Sequence, residues 1–406
     1  MRFLTAGESH GPSLIGIIEG LPAGLTIKEK HINQQLARRQ GGYGRGERMS
    51  IEKDSIRFLS GVRLGETTGS PMALALENKD WPNWEKTMAL LAAGEEDAED
   101  NKHEKNKENS RIITAPRPGH ADLPGGIKYL HRDLRNVLER GSARETAMRV
   151  AVGAVASLLL GNFGIKITSF VTAIGGIKAP SVSTKYDIEQ INSSKSSLLY
   201  VLDSESEKLM VERIDRAKSE GDSLGGVFEI RVEGVPVGLG SHVHWDRRLD
   251  GLLTGALMSI PGIKGVEIGM GFEAASINGS EAHDEIILEE KGLVGRVTNR
   301  AGGLEGGITN GQNLVLRAAM KPIPTLRKPL CSVDLAIRKQ CSASVERSDV
   351  CAVPAASVVG EAVISWELAR TFMEKFSGDS MVEIRKGFNN YRDMVNNYQG
   401  AGHDKN

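Results

Sequence analysis

The sequence predicts an α+β fold. Short segments of strand-like alternation are bounded by Gly and Pro turns, segments of helical period stand apart from them, and the strict strand–helix–strand repeat of a parallel sheet is missing.

Taken in order, Ser13 to Glu19 alternates around Leu14, Ile15, Ile17 and Ile18 and stops at Leu21-Pro22-Ala23-Gly24, which predicts a strand and a tight turn. A helix follows, with Thr26 placed to cap it and Glu29 three residues later as the capping-box carboxylate. Ile27, Ile32 and Leu36 share one face of that helix before Gly41-Gly42 ends it, so Arg38 and Arg39 stand at its C-terminal end. Gly65-x-x-x-Gly69 leads into a strand at Met72 to Leu76, and Gly221-x-x-x-Gly225 leads into another at Val227 to Val232, a shared pattern that suggests an internal duplication. Further strands are predicted at Ile165 to Ile174 and Leu314 to Ala319, and helices at Ser206 to Ser219, Leu249 to Met258 and Ala355 to Phe372. Residues 94–110, with Ala98 as their one apolar side chain, have the composition of a charged surface-loop insertion, and residues 401–406 read as a flexible tail.

The 406 residues allow one large core or two to three domains of about 100 to 200 residues. Lys+Arg 51 against Asp+Glu 52 gives a net charge of -1, so no global field favours nucleic acid or anionic lipid. The longest apolar run, Ala151 to Leu160, is far short of the ~20 residues that span a bilayer. The start carries neither a signal-peptide stretch nor a Ser/Arg-rich transit pattern, which predicts a cytoplasmic protein. Cys331, Cys341 and Cys351 make no C-x-x-C pair and have no histidine at ligand spacing, so idle reduced thiols are expected rather than a zinc site. Glycine is the outlier, 47 of 406 residues or about 11.6% against a typical ~7%, and implies many backbone turns.

Gly7-Glu8-Ser9-His10-Gly11 and Gly221-Asp222-Ser223-Leu224-Gly225 both match the G-x-S-x-G of a hydrolase nucleophile elbow, and both fail on context. The first has only six residues before it, and the second runs from helix into strand, the reverse of an elbow. No Gly-Lys dipeptide occurs, and Gly42-Tyr43-Gly44-Arg45-Gly46 is not a dinucleotide fingerprint, so Walker and Rossmann readings lapse. Arginines do recur in glycine-rich loops, in Arg39 to Arg48 and again in Arg140-Gly141-Ser142-Ala143-Arg144. Glycine lets backbone N–H groups approach an anion and the guanidinium fork binds phosphate or carboxylate at two points, which points to a polyanionic small molecule. The alternative is that arginines beside Glu47 or Glu145 are solvated ion-pair partners. His120, between Pro118-Gly119 and Asp122, is suited either to protonating a leaving phosphate or to structural hydrogen bonding. His242 and His244 alternate on an expected strand, with no third ligand visible, and are read as non-metal.

Together the motifs resemble the chorismate synthase family. Gly7-Glu8-Ser9-His10-Gly11, Gln40-Gly41-Gly42-Tyr43-Gly44-Arg45-Gly46, Pro116-Arg117-Pro118-Gly119-His120-Ala121-Asp122-Leu123, Ser142-Ala143-Arg144-Glu145-Thr146, Gly303-Leu304-Glu305-Gly306-Gly307, Lys321-Pro322-Ile323-Pro324-Thr325 and Glu346-Arg347-Ser348-Asp349 occur in family order and span most of the chain. The resemblance implies one domain over residues 1–406, a sandwich of helices between two antiparallel four-stranded sheets, and a homotetramer. It implies conversion of 5-enolpyruvylshikimate 3-phosphate to chorismate by anti-1,4-elimination of phosphate with loss of a C6 hydrogen, the last step of the shikimate pathway of aromatic amino acid biosynthesis. Reduced FMN is required although no net redox change occurs. No Rossmann fingerprint supports a dedicated NADPH domain, which favours reduced flavin taken from elsewhere over reduction by the enzyme itself, with NADPH only the source of reducing equivalents.

Residue by residue, the resemblance implies that His120 protonates the departing phosphate, that His10 tunes the flavin, and that Ser9 and Asp349 assist proton removal from C6. Arg39 and Arg45 match positions for substrate-phosphate or NADP contact, with Arg48 beside them. FMN positions map to Arg140, Gly141 and Ser142, to Pro261 and Gly262, to Gly306, to Lys321, Pro322, Ile323, Pro324 and Thr325, and to Arg347. Gly141 departs from the usual Ser or Ala, so a side-chain contact is lost there and a backbone contact is expected to survive. A catalytically degenerate FMN- or anion-binding homologue would lose His10, His120 or Asp349 first, and all three are present.

Overall fold

The computed structural model describes residues 1–46, 53–91, 112–181, 188–288, 294–345 and 348–401. Arg48, Arg347, the 94–110 insertion and all but the first residue of the 401–406 tail lie outside them.

The first sheet has four antiparallel strands, β1 (Arg2–Ala6), β2 (Ser13–Glu19), β3 (Ile56–Ser60) and β4 (Met72–Glu77), in the order β1-β2-β4-β3. The second contains β5 (Lys166–Ile174), β6 (Ile177–Lys178), β7 (Gly226–Glu233), β8 (Ile263–Ile268) and β9 (Leu314–Met320), in the order β8-β9-β7-β5-β6. It has five strands where four were expected. Gly175 (φ +56°) and Gly176 (φ +89°) make a turn tight enough for two residues to fold back onto β5 as a short edge strand. The two Gly-x-x-x-Gly loops lead into β4 and β7, each of which has antiparallel neighbours on both sides.

Three helices, α1 (Glu29–Gln40), α4 (Thr146–Gly161) and α7 (Val353–Lys375), pack on one another; the chain also forms α2 (Asp122–Tyr129), α3 (Arg135–Arg140), α5 (Ser204–Glu220), α6 (Leu249–Met258) and α8 (Met381–Asn396). α4 packs on β1 and β2, α7 packs on β5 and β7, and the two helices pack on each other. Both are apolar on nearly every face, as a helix enclosed on all sides must be. They approach closely because Gly153 has no side chain: a Cβ there would come within 2.4 Å of the Ala362 carbonyl oxygen. Ile32 and Leu36 of α1 are fully buried against this pair, each contributing about 1.5–3 kcal/mol. Among the described residues no helix is long and apolar enough to cross a membrane.

Two local expectations are corrected. Thr26 is not a helix cap; it bridges to Glu66, Ile27 donates to the Gly65 carbonyl, and the cap position passes to Lys28. His242 and His244 are not on a strand: His244 precedes a 3-10 turn over Trp245–Arg247, with its Nδ1 2.6 Å from Asp246. The three thiols are free. Cys331 and Cys341 lie on a hairpin whose register pairs them with Ser342 and Ser332, which puts them on opposite faces. That hairpin braces the chain before His120, through Ser332 to the Pro116 carbonyl (2.6 Å) and Ser344 to the Ala115 carbonyl (2.7 Å).

Candidate active site

Residues 135–146 form the spine of the site. Leu138 fixes α3 by burying its apolar side with Ile113 and Leu134, which leaves Glu139 directed at the loop after β1. Ser142 then adopts an extended conformation and its side chain accepts from Arg144 N, opening the 3-10 turn that runs into α4.

The Glu139 carboxylate, with no exposed surface, accepts from the His10 backbone N–H (2.9 Å) and lies 2.9 Å from His10 Nδ1 and 3.3 Å from Arg135. Burial pushes this carboxyl up, but the hydrogen bonds and charge of His10, with Arg135, outweigh it and hold it below the usual carboxylate range. An ionised carboxylate only accepts, so Nδ1 carries the hydrogen and Nε2 is the acceptor nitrogen of the ring. The imidazole stacks on Trp84 with centroids 3.7 Å apart, and the Arg135 guanidinium lies 5.4 Å from the same indole. Ser9 donates its backbone N–H to the Glu139 carbonyl at 3.1 Å, and Ser142 Oγ donates to Ser9 Oγ at 3.2 Å. Arg140 clamps the same loop from behind, donating to the carbonyls of Gly7 (3.0 Å) and Thr5 (3.2 Å).

His120 is held in the same way. Its Nδ1 lies 2.6 Å from Oδ1 of fully buried Asp122, the first residue of α2. Arg117 donates to both oxygens of Asp122 (2.8 and 3.1 Å) and to Thr325 Oγ1 (2.8 Å). Burial pushes the Asp122 carboxyl up, but the hydrogen bonds from His120 and Arg117 and their charges outweigh it, so it stays far below the usual carboxylate range. Arg117 Nη2 is also 3.0 Å from His120 Nδ1. Both are donors once Nδ1–H points at Asp122, so this is a cation held beside the ring. A Cβ at Gly141 would lie 3.4 Å from His120 Cε1, which places the spine against the ring edge. The Gly141 N–H is already donated to the Val137 carbonyl (2.8 Å), so the backbone contact expected there reduces to the carbonyl.

A third cluster faces α1. Arg39 donates to Thr146 Oγ1 (3.0 Å) and to the Ala143 carbonyl (2.8 Å), Arg144 binds both oxygens of Asp54 (2.8 and 2.7 Å), and Arg45 pairs with Asp349 (2.8 Å). Gly46 N donates to the same Asp349 at 2.7 Å. The loop reaches these positions because Gly42 (φ +99°) and Gly44 (φ +86°) take left-handed conformations and Val350 N bonds the Gly44 carbonyl. Among the described residues, Arg39, Arg144 and Arg45 meet the carboxylates of Asp54 and Asp349 in this cluster. Arg39 Nη1 is buried with no hydrogen-bond partner and sits 4.0 Å from Asp54. Burial, then the charge of Arg45, brings the Arg39 pKa down to about 10. The solvated ion-pair alternative therefore fails for Arg39 and Arg144, which are buried, whereas Glu145 pairs with Arg149.

Of the predicted positions, Ser9, His10, His120, Asp349, Arg39, Arg45 and 140–142 thus fall on one connected network. Residues 321–325 join it: Lys321 Nζ meets the Gly119 carbonyl, Lys321 N donates to the Gly262 carbonyl (2.9 Å), and Ser348 Oγ donates to the Thr325 carbonyl (2.8 Å). Pro261 precedes Gly262 (φ +88°). Gly306 sits in a tight turn beside His242, and among the described residues the network does not reach it. Sequence reasoning missed Glu139, Asp54, Trp84 and the role of Arg117. Only Arg117 carried a signal, its three-residue offset from His120 inside one rigid Pro-Gly loop.

A family model described as chorismate synthase matches residues 1–373. The chorismate synthase of Desulforamulus reducens is 59% identical over 396 residues, 97% of this chain and 99% of the relative. That of Geobacter metallireducens is 54% identical over 405 residues, 98% of this chain and all of the relative. A solved crystal structure of a chorismate synthase aligns with TM-score 0.77 at 44% identity, covering 98% of each chain.

Proposed function

Because the chain belongs to the chorismate synthase family and acts as a lyase of that kind, we propose that the network joined by residues 135–146 is where 5-enolpyruvylshikimate 3-phosphate loses phosphate and a C6 hydrogen to become chorismate. One observation carries this reading: the buried Arg39 guanidinium nitrogen without a hydrogen-bond partner, with Arg45 and Arg144 beside it, is completed by an anion. Arg39 and Arg45 receive the substrate phosphate, with Arg48 as a further donor from the same loop.

His120 is the general acid. Its Nδ1–H is committed to Asp122, so Nε2 delivers the proton to the oxygen that leaves carbon with the bonding electron pair. Asp122 fixes the ring and stabilises its cationic form before transfer. His10, held through the same ring atom by Glu139 and stacked on Trp84, stands next to Ser9 in the loop that Glu139 grips and tunes the flavin. Ser9 and Asp349 are the groups assigned to the C6 proton.

The donor set fits a flavin phosphate and ring edge: Ser142, Thr325 and the ammonium of Lys321, on segments that the Gly262–Lys321 and Arg117–Thr325 bonds bring together. When bound, reduced FMN supplies the electron-rich ring that the elimination requires; Arg140 to Ser142, Pro261, Gly262, Gly306, Lys321 to Thr325 and Arg347 are the positions assigned to hold it. A cytoplasmic homotetramer completes the proposal. The assembly is supported by the outer face of the first sheet, where Leu4 and Ile17 pair across the strands and are both exposed.

The test is anaerobic incubation of the purified protein with chemically reduced FMN and 5-enolpyruvylshikimate 3-phosphate. Equal amounts of chorismate and phosphate are expected, and none of either with oxidised FMN. Tight flavin binding without product would overturn the assignment.

A further inference from the structure

Arg38 and Arg39 are neighbours on the last turn of α1, and side chains one residue apart on a helix diverge by about 100°. Arg39 enters the anion cluster, so Arg38 turns into the interior, where it makes a two-point ion pair with Glu361 of α7 (Nη1–Oε2 2.7 Å, Nη2–Oε1 2.8 Å). A third element fixes Glu361: Ser169 on β5 donates both its backbone N–H and its hydroxyl to Oε1, each at 2.8 Å. Burial pushes the Glu361 carboxyl up, but Arg38 outweighs it and holds the group below the usual carboxylate range, so the pair stays charged.

Tyr200 closes the bracket. Its hydroxyl donates at 2.8 Å to the Arg38 carbonyl, which also accepts from the N–H of the capping Gly41 at 3.1 Å, so the last turn of α1 is held from outside and inside. Its own carbonyl accepts from Val171 N at 2.8 Å. Tyr200 has φ +59°, a left-handed conformation that an aromatic residue keeps only where its surroundings impose it, and such residues gather at functional sites. Leu198, two residues earlier, accepts from Tyr43 N at 2.9 Å, so one short loop braces both the end of α1 and the glycine-rich loop that carries Arg45.

We propose that Tyr200 and Glu361 are positioning residues for the anion-binding arginines, locking the last turn of α1 so that the Arg39 guanidinium meets the substrate phosphate already in place. The inference rests on the reading that Arg39 and Arg45 bind that phosphate. A preorganised guanidinium binds more tightly because less freedom is lost on association, so the effect belongs in substrate affinity and not in the chemical step.

Tyr200→Phe removes one hydroxyl and keeps the ring. In the full-length enzyme with reduced FMN, the KM for 5-enolpyruvylshikimate 3-phosphate and the inhibition constant of inorganic phosphate are each expected to rise about tenfold, with kcat within about twofold and flavin affinity unchanged. Glu361→Gln moves the same two constants the same way; should that variant fail to fold, Tyr200→Phe decides alone. Arg39→Lys, measured alongside, separates the two claims. If it raises both constants while Tyr200→Phe raises neither, the positioning role is wrong although the phosphate site stands. If Arg39→Lys also leaves both unchanged, the phosphate reading fails and takes the inference with it. A lower melting temperature for Tyr200→Phe with unaltered constants overturns the proposal in favour of a purely structural role. A double variant no worse than Arg39→Lys alone supports it, because the hydroxyl then acts through Arg39.

Discussion

Ser142 Oγ donates to Ser9 Oγ at 3.2 Å, and this contact joins the segment that grips His10 to the one that lies against His120. The two histidines are 110 residues apart in sequence, yet each is held through Nδ1 by a buried carboxylate with an arginine behind it. Residues 135–146 supply Glu139 and Arg135 to the first histidine and lie against the ring of the second at Gly141, so changes there reach both.

Glu139→Gln leaves the shape and removes the anion. An amide has one acceptor oxygen, which is too few for the His10 ring, the His10 N–H and Arg135 together. We expect turnover to fall about 10- to 100-fold, as for loss of a carboxylate that orients a functional histidine, and stability to fall by about 1–3 kcal/mol from the unsatisfied buried donors. Steady-state kinetics and denaturant unfolding read the two effects; an unchanged kcat would detach His10 from catalysis.

Asp122 dictates a pH dependence. Its folded pKa lies below the unfolded value of about 3.9, so the stability it contributes is present above about pH 4 and is lost as pH falls toward its folded value. Asp122→Asn should be less stable than the parent at pH 7, and the gap should narrow in unfolding curves taken at successively lower pH below about 4. A gap independent of pH would mean that the carboxylate charge does not matter.

Arg39 holds a buried guanidinium nitrogen without a hydrogen-bond partner. Inorganic phosphate should therefore raise the melting temperature of the parent by roughly 2–4 °C, a few kcal/mol or less of linkage for a protein of this size. Arg39→Gln should lose that response and be no less stable than the parent without phosphate, since a charge whose folded pKa is depressed to about 10 opposes folding at neutral pH. An equal phosphate shift in both proteins would place the anion elsewhere.

Much of this was legible in the sequence where the signal is local. The strand at Ser13–Glu19 and the helix at Leu249–Met258 have the predicted limits, because alternation and helical period are set by near neighbours. The helix from Thr146 to Gly161 was not, since a helix enclosed by a sheet and another helix has no polar face to reveal its period. Thr26 looked like a cap until pairing with Glu66 claimed its backbone. Motif recognition located His10, His120 and the arginines but not their partners. Glu139 is 129 residues from His10 and Asp54 is 90 from Arg144, separations at which spacing carries no information.

The central claim is that His120 delivers the proton to the departing phosphate while the arginines hold it. Single-turnover phosphate release from preformed substrate complexes with reduced FMN, under anaerobic conditions, tests it most directly. His120→Ala should bind substrate and flavin within about threefold of the parent and release phosphate slower by roughly 10² or more, the range for a lost general acid. Phosphate release at the parental rate would remove His120 from the reaction and contradict the account.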